Sequence, residues 1–425
     1  MSTTAKVAPA PTVSLIHSSL LHGKDQFLGG ECAGKRGHLY FIPGNFPQVL
    51  VLNPTNDELR LIGPKFSGHY KWLRGVESPH NGIIYGLACH SDSILKIDPN
   101  TDEVTTIPIP PVANADDDEP SIVGMEWKYH GGTVSPIDGK IYAIPQRATR
   151  VLCIDPTTDA ITHVGRRLDG RCKWYGGLLG RDGCIYGMPQ NAASLLRINP
   201  AAKNSDDIVT LHGDFGEGGH KWHGGGATEG GKAIFAIPCN IDTVLRVNPP
   251  ATPEEEPTFE LLGDDTIVKT GRHRNDRKYK FLGAVADNVN GYVYFVPSGA
   301  DKVLRCNIET SELEEIGPHF EDGGLERVHQ NKWQNGFFSE VDKCVYAIPL
   351  NGDKLLRICG NGAEATVETF EPSAVGVEKW EGAVVARDGT AYSCPNNYKG
   401  LLKIEMKSAY AVDDTGESPS FCCQS

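Results

Sequence analysis

Short apolar runs recur along the chain, each pairing an aliphatic residue with an aromatic one. They read Leu39-Tyr40, Ile84-Tyr85, Ile141-Tyr142, Ile185-Tyr186, Ile234-Phe235, Val293-Tyr294, Val345-Tyr346 and Ala391-Tyr392. The pairs stand roughly fifty residues apart, a spacing that marks a repeat protein. Turn pairs such as Asp138-Gly139, Asp182-Gly183, Asn290-Gly291 and Asp388-Gly389 precede the aromatic, and such dipeptides between apolar segments signal hairpins. A second run follows, as in Val151-Leu152-Cys153-Ile154, and often ends in Asp-Pro or Asn-Pro, as at Asp155-Pro156 and Asn199-Pro200. Proline there stops the ladder and starts a turn. A shorter strand closes the unit, for example Ile161–Val164 in the third repeat.

Each repeat therefore predicts four antiparallel strands, A to D. One such sheet cannot cover both faces, whereas sheets standing around a common axis shield each other. The expected fold is all-β: a single eight-bladed β-propeller over residues 12–406, after a disordered 1–11 and before a flexible acidic tail, 407–425. The last repeat lacks its outer strand. The apolar run Thr12-Val13-Ser14-Leu15-Ile16 is expected to supply it and latch the ring, in preference to 408–412.

One column is more informative than the rest. Thirteen or fourteen residues before the blade aromatic stand Gln26, Lys71, Lys128, Lys173, Lys221, Lys280, Lys332 and Lys379. An aromatic always follows: Phe27, Trp72, Tyr129, Trp174, Trp222, Phe281, Trp333 and Trp380. Glycine comes within the next few residues, suiting innermost strands whose backbones converge. The aromatics suit wedges between blades. The lysines have two readings. In one, each stem packs on a neighbouring ring and the ammonium bonds carbonyls or a carboxylate of the next blade. In the other, the lysines ring a channel mouth and hold an anionic ligand. Trp72, Trp174, Trp222, Trp333 and Trp380 would then border the ligand, and His130, Tyr175, His223, Gln334 and Glu381, which vary within the repeat, would select it. A second basic column on strand C (Lys96, Arg197, Arg246, Arg305, Arg357, Lys403) reads as inter-blade ion pairing.

The B–C and D–A loops should share one face. Residues 108–127 carry Asp116-Asp117-Asp118-Glu119. Residues 264–279 carry Arg272, His273, Arg274 and Arg277, and residues 318–331 carry His319, Glu321, Asp322 and His329. Loops on a rigid scaffold are where partners bind, and the acidic loop is a candidate partner for the basic one.

Charge and cysteine usage narrow the setting. The net charge of −13 argues against nucleic acid as a partner. Twelve cysteines include no C-x-x-C pair, and Cys89, Cys153, Cys184, Cys306 and Cys344 fall in or beside apolar strands. No secretory core opens the chain and no sequon occurs, so a cytoplasmic, reduced, monomeric protein is expected. Cys422, four residues from the end, has the outline of a prenylation box, against the alternative of a plain tail. A membrane becomes a partner only if it is lipidated. No phosphate loop, dinucleotide fingerprint, H-E-x-x-H or G-x-S-x-G is present, and no catalytic residue or cofactor is assigned. Glu31 and Glu77 are the candidates for a channel metal; the equivalent positions elsewhere are Val134, Leu179, Ala227, Val285, Phe338 and Val385.

The repeat core, Asp-Gly followed by Ile-Tyr-Ala-Ile-Pro and Val-Leu-x-Ile-Asp-Pro-x-Thr, covers nearly the whole chain. It resembles the repeats of kelch, streptogramin-lyase and NHL-type propellers. Where kelch repeats carry a double glycine after the tyrosine strand, this chain has Ile144-Pro145 and Ile348-Pro349. The resemblance implies the propeller fold, and no catalytic residue of the lyases falls on a motif here. The expected function is a non-catalytic scaffold binding a protein partner on the D–A and B–C loop face. The alternatives are a small anionic ligand at a lysine-ringed mouth, and a lyase or lactone hydrolase with a channel metal.

Overall fold

The computed structural model describes residues 8–408 apart from 114, 361–364 and 372–373. Its strands form eight separate four-stranded antiparallel sheets. In blade three, strand A is Tyr129–Val134, B is Ile141–Pro145, C is Val151–Asp155 and D is Ala160–Val164. Blades one, two and four to seven repeat that order over residues 27–62, 72–108, 174–212, 222–262, 281–316 and 333–370.

Blade eight takes its A, B and C strands from Trp380–Val385, Ala391–Pro395 and Gly400–Glu405. Its outer strand is Thr12–His17, paired from Thr12 opposite Glu405 to His17 opposite Gly400. The N-terminus thus latches the ring as the pattern predicted. The latch begins earlier than expected: Ala8 is buried, and the carbonyls of Ala8 and Pro9 accept from Arg357 of blade seven.

Alternation drives this assembly. Strand B is buried from end to end in most blades, as in Ile141–Pro145, because sheets press on both of its faces. Its tyrosines Tyr40, Tyr85, Tyr186, Tyr294, Tyr346 and Tyr392 are wholly shielded from solvent. The A strands touch their neighbours around the whole circle, including blade eight against blade one. Convergence there leaves no room for a side chain at the tightest positions. A Cβ on Gly131, whose φ is +87°, would sit 1.7 Å from the carbonyl oxygen of Gly176 in the next blade.

Cys344 and Cys359, opposed on strands B and C of blade seven, form a disulfide. This corrects the reading of Cys344 as a free apolar thiol; a cross-strand pair brings two sulfurs within bonding reach. Among the described residues seven further cysteines, Cys89, Cys153, Cys172, Cys184, Cys239, Cys306 and Cys394, are free thiols, all but Cys172 buried. No described helix is long and apolar enough to cross a membrane.

Candidate functional site at the channel mouth

The lysine column lies inside the wall. All seven lysines are at most 6% exposed. Lys332 donates to the carbonyls of Ser298, Ala300 and His329 at 2.9, 2.7 and 3.3 Å. Lys71 does the same to Gly44, Phe46 and Gly68, and Lys379 to Leu350, Gly352 and Gly376. Lys173 holds Gln146, Ala148 and Gly170, and Lys221 holds Ala192, Gly216 and Gly218. Lys128 and Lys280 each take two carbonyls and one carboxylate, Asp92 or Asp242. In blade one the amide of Gln26 takes the carbonyls of Asn396 and Tyr398.

Each residue therefore clasps the B–C loop of the preceding blade. An ammonium has three donors, and here all three are engaged. Burial pushes Lys71, Lys173 and Lys379 down to about 8 and Lys332 to about 7. The expectation of a free cation ring is corrected on this ground, and the carbonyl-clasp reading is what the geometry displays. The five tryptophans are buried beside the lysines. Their indole N–H groups bond carbonyls of their own blades: Ser93, Ser194, Thr243, Lys354 and Gly400. They border no open surface.

What faces the channel is the next step of strand A. In seven blades the A–B register slips just after the aromatic, as between Trp72 and Gly75 or Trp222 and Gly225, and in blade four it slips two residues later, between Gly176 and Leu178. Bulges turn side chains out of the ladder. His130 and His223, at the bulges of blades three and five, meet Tyr175, the residue after the aromatic in blade four, in a stack with ring centroids 3.6 and 4.1 Å apart. Gln334 donates to Glu381 at 3.0 Å. Enclosure pushes His223 down to about 4, helped by the charge of Arg74, and holds His130 well below its ordinary value. Both imidazoles are neutral at physiological pH. Burial raises the Glu381 carboxyl, with Arg74 opposing.

Arg74 is the residue that column reading missed. The bulge position it occupies is glycine in six repeats (Gly29, Gly131, Gly176, Gly224, Gly283, Gly382) and asparagine in one, Asn335. Arg74 adopts φ +60° there, and Asn335 +56°. The left-handed region costs a side chain about 1 kcal/mol or more, least for asparagine. Arginine in a glycine column was the available signal. Among the described residues its guanidinium has no hydrogen-bonded or ion-paired acceptor, yet its charge reaches His130, His223 and Glu381 in three other blades.

The other predicted positions divide. Glu31 is buried on blade one and Glu77 half-buried on blade two, and neither joins a group of three metal-ligating side chains among the described residues. Such a group forms elsewhere, from His273, Glu321 and His329. Cys422 lies outside the described residues. The acidic loop does not meet the basic one, since their D–A loops lie three blades apart. Asp116 and Asp118 pair with Arg167, and Glu119 with Arg150, which lowers Glu119 to about 2. Arg272 instead pairs with Glu321 and Asp322 of the adjacent loop. On strand C, Lys96 and Lys403 pair across blades, to Asp159 and Asp57. Arg197, Arg305 and Arg357 find acids in their own blades.

No family model and no curated protein sequence matches the chain. Solved structures are similar in fold. A streptogramin B lyase aligns with TM-score 0.54 at 13% identity, covering 93% of this chain and 98% of that one. Virginiamycin B lyase from Staphylococcus aureus aligns with TM-score 0.52 at 12% identity, covering 93% and 99%. Hydrazine synthase of Kuenenia stuttgartiensis gives TM-score 0.50 at 12% identity, covering 92% and 98%. At these identities the likeness is one of fold: the chain is a β-propeller resembling those of the streptogramin B and virginiamycin B lyases.

Proposed function

We propose that this propeller is a binding module that docks a small anionic ligand at the channel mouth on the D–A and B–C loop face. The observation that carries the reading is Arg74, whose guanidinium has no paired acceptor among the described residues, in a strained backbone position where most repeats keep glycine. Strain retained at a charged, unpartnered side chain points to a use outside the fold. The fork of the guanidinium suits a carboxylate or phosphate. The His130–Tyr175–His223 stack offers an apolar wall with neutral hydrogen-bonding edges, and the Gln334–Glu381 pair a polar one.

The test is calorimetric titration of the protein and of Arg74→Gly with benzoate and phenyl phosphate. Binding by wild type and its loss in the variant are expected; equal binding by both would end the proposal. Glycine accepts φ +60° without strain, so Arg74→Gly should also be more stable than wild type by about 1 kcal/mol.

A protein partner on the same face is the second reading. It is favoured by Val123, Tyr279, Val375 and Val377, apolar side chains 44–75% exposed on three D–A loops. The free thiols among the described residues favour a reducing compartment, with Cys344–Cys359 as the exception.

A further inference from the structure

Two adjacent D–A loops, one between blades five and six and the other between blades six and seven, converge on a single carboxylate. His273 Nε2 lies 2.9 Å from Oε2 of Glu321, and His329 Nε2 lies 4.0 Å from its Oε1. The ligand atoms of the three residues lie within 4.8 Å of one another, and the two imidazoles stack at 3.8 Å. From this juxtaposition we infer that His273, Glu321 and His329 form a binding site for a borderline divalent transition ion such as Zn2+, which ties the two loops together.

The backbone beneath each ligand is anchored. Around His273, Gly271 bonds the carbonyl of Gly299, Arg272 N–H bonds Asp301, and Arg274 N–H returns to Gly271. The carbonyl of His329 is one of the three acceptors of buried Lys332. Glu321 follows Phe320, which is buried edge-on against Trp333 at 4.9 Å, and its turn is closed by Gly323 N–H to His319 and Gly324 N–H to Glu321. For both Nε2 lone pairs to point at one ion the two stacked rings must turn apart, a movement open to side chains that are more than a third exposed at the rim.

The chemistry selects the ion. Two imidazoles and one carboxylate disfavour Mg2+ and Ca2+, which take oxygen ligands, and suit Zn2+ with a fourth position left open. Arg272 opposes a dication, but it is shared between Glu321 and Asp322 at 3.0 and 2.7 Å. Asp301 adds a further negative charge nearby, 3.8 Å from His319. The same Arg272 fixes the carboxylate from behind. On binding, Nε2 of His273 gives up any proton and Nδ1 carries it instead.

The site is separate from the channel mouth, and its test is independent of that proposal. Chelator-treated protein is titrated with Zn2+ against a chromophoric competitor, and with Co2+ followed by visible absorption. One ion per chain is expected, with a four- or five-coordinate Co2+ spectrum and a Zn2+-dependent rise in Tm. The variants His273→Ala and His329→Ala should each weaken Zn2+ binding at least tenfold, and Glu321→Gln should weaken it as well. His80→Ala, an exposed histidine on the opposite face, should leave it unchanged. All three substituted side chains are at least a third exposed, so the variants are expected to fold, checked by circular dichroism. Absence of stoichiometric binding, or binding unaltered in the double histidine variant, would show an ion-pair cluster and overturn the assignment.

Discussion

Lys403 donates to Asp57 across the seam of the ring, Nζ to Oδ2 at 2.8 Å. Tyr392, directly opposite Lys403 on the neighbouring strand, gives its hydroxyl to the other oxygen at 3.0 Å. Asp57 sits at the C–D corner of blade one with φ +58°. The same latch joins blades two and three, where Tyr85 and Lys96 share Asp159. At the seam it links strands that stand at opposite ends of the chain. Asp57→Asn keeps a residue that tolerates the left-handed corner but removes the charge. It should cost about 1 kcal/mol, read as a lower denaturant midpoint with an unchanged slope.

The carbonyl clasp leads to an outcome opposite to that of a cation ring. Lys332→Met strips the donors from Ser298, Ala300 and His329 while retaining the apolar stem. It leaves buried acceptors unpaired, which should cost about 2–3 kcal/mol. The folded fraction should bind phenyl phosphate as wild type does, because the ammonium faces away from the channel mouth. Loss of anion affinity without loss of stability would return the lysines to the site.

Much of this fold could be read from the chain because a propeller repeats its pattern. Strand B must be apolar on both faces, so an aliphatic–aromatic pair recurs in every blade and counts them. The missing outer strand and the run at Thr12–His17 left one natural pairing. What stayed hidden depends on distance around the ring. The lysine column was visible, but only coordinates place each ammonium on the preceding B–C loop. Arg74 was masked by a glycine column treated as structural. His273, Glu321 and His329 lie on irregular loops, which have no period to align, and they meet because blades five, six and seven are consecutive. Cys344 and Cys359 flank the apolar cores of adjacent strands, and hairpin register alone would have paired them.

The channel histidines make acid stability a readout of the site. His223 has its pKa depressed to about 4 by burial, with Arg74 and His220 adding to the effect. An unfolded histidine titrates near 6.5. Between those values the unfolded chain takes up a proton that the folded one refuses. Stability contributed by a neutral His223 is therefore present above about pH 6.5 and is lost as pH falls toward 4, by up to about 3 kcal/mol. His223→Phe keeps a ring against Tyr175 and removes the titration. The gap in Tm between pH 7.5 and pH 4.5 should be smaller in the variant. In Arg74→Gly the His223 resonance should titrate at higher pH in NMR. An unmoved resonance would separate Arg74 from the stack.

The N-terminal strand provides the last prediction, because its removal takes a whole strand from one blade and touches only blade seven besides. Thr12–His17 covers the strand Gly400–Glu405, in which Leu401, Leu402 and Ile404 are wholly buried or nearly so. Val13 and Leu15 pack on the cluster that contains Leu402, Ile404 and Trp380. Deleting residues 1–17 would leave that strand as an open edge, with unpaired backbone groups that invite another chain. It would also deprive Arg357 of the carbonyls of Ala8 and Pro9, although its pair with Glu368 remains. The truncated protein should lose several kcal/mol and self-associate, measured by denaturant titration and light scattering. Adding a peptide of residues 8–18 in trans should restore the monomer. The milder Leu15→Ala should cost about 1–2 kcal/mol without association, since the backbone ladder survives. A truncated chain that stays monomeric with an unaltered midpoint would show that blade eight is held by its A and B strands alone.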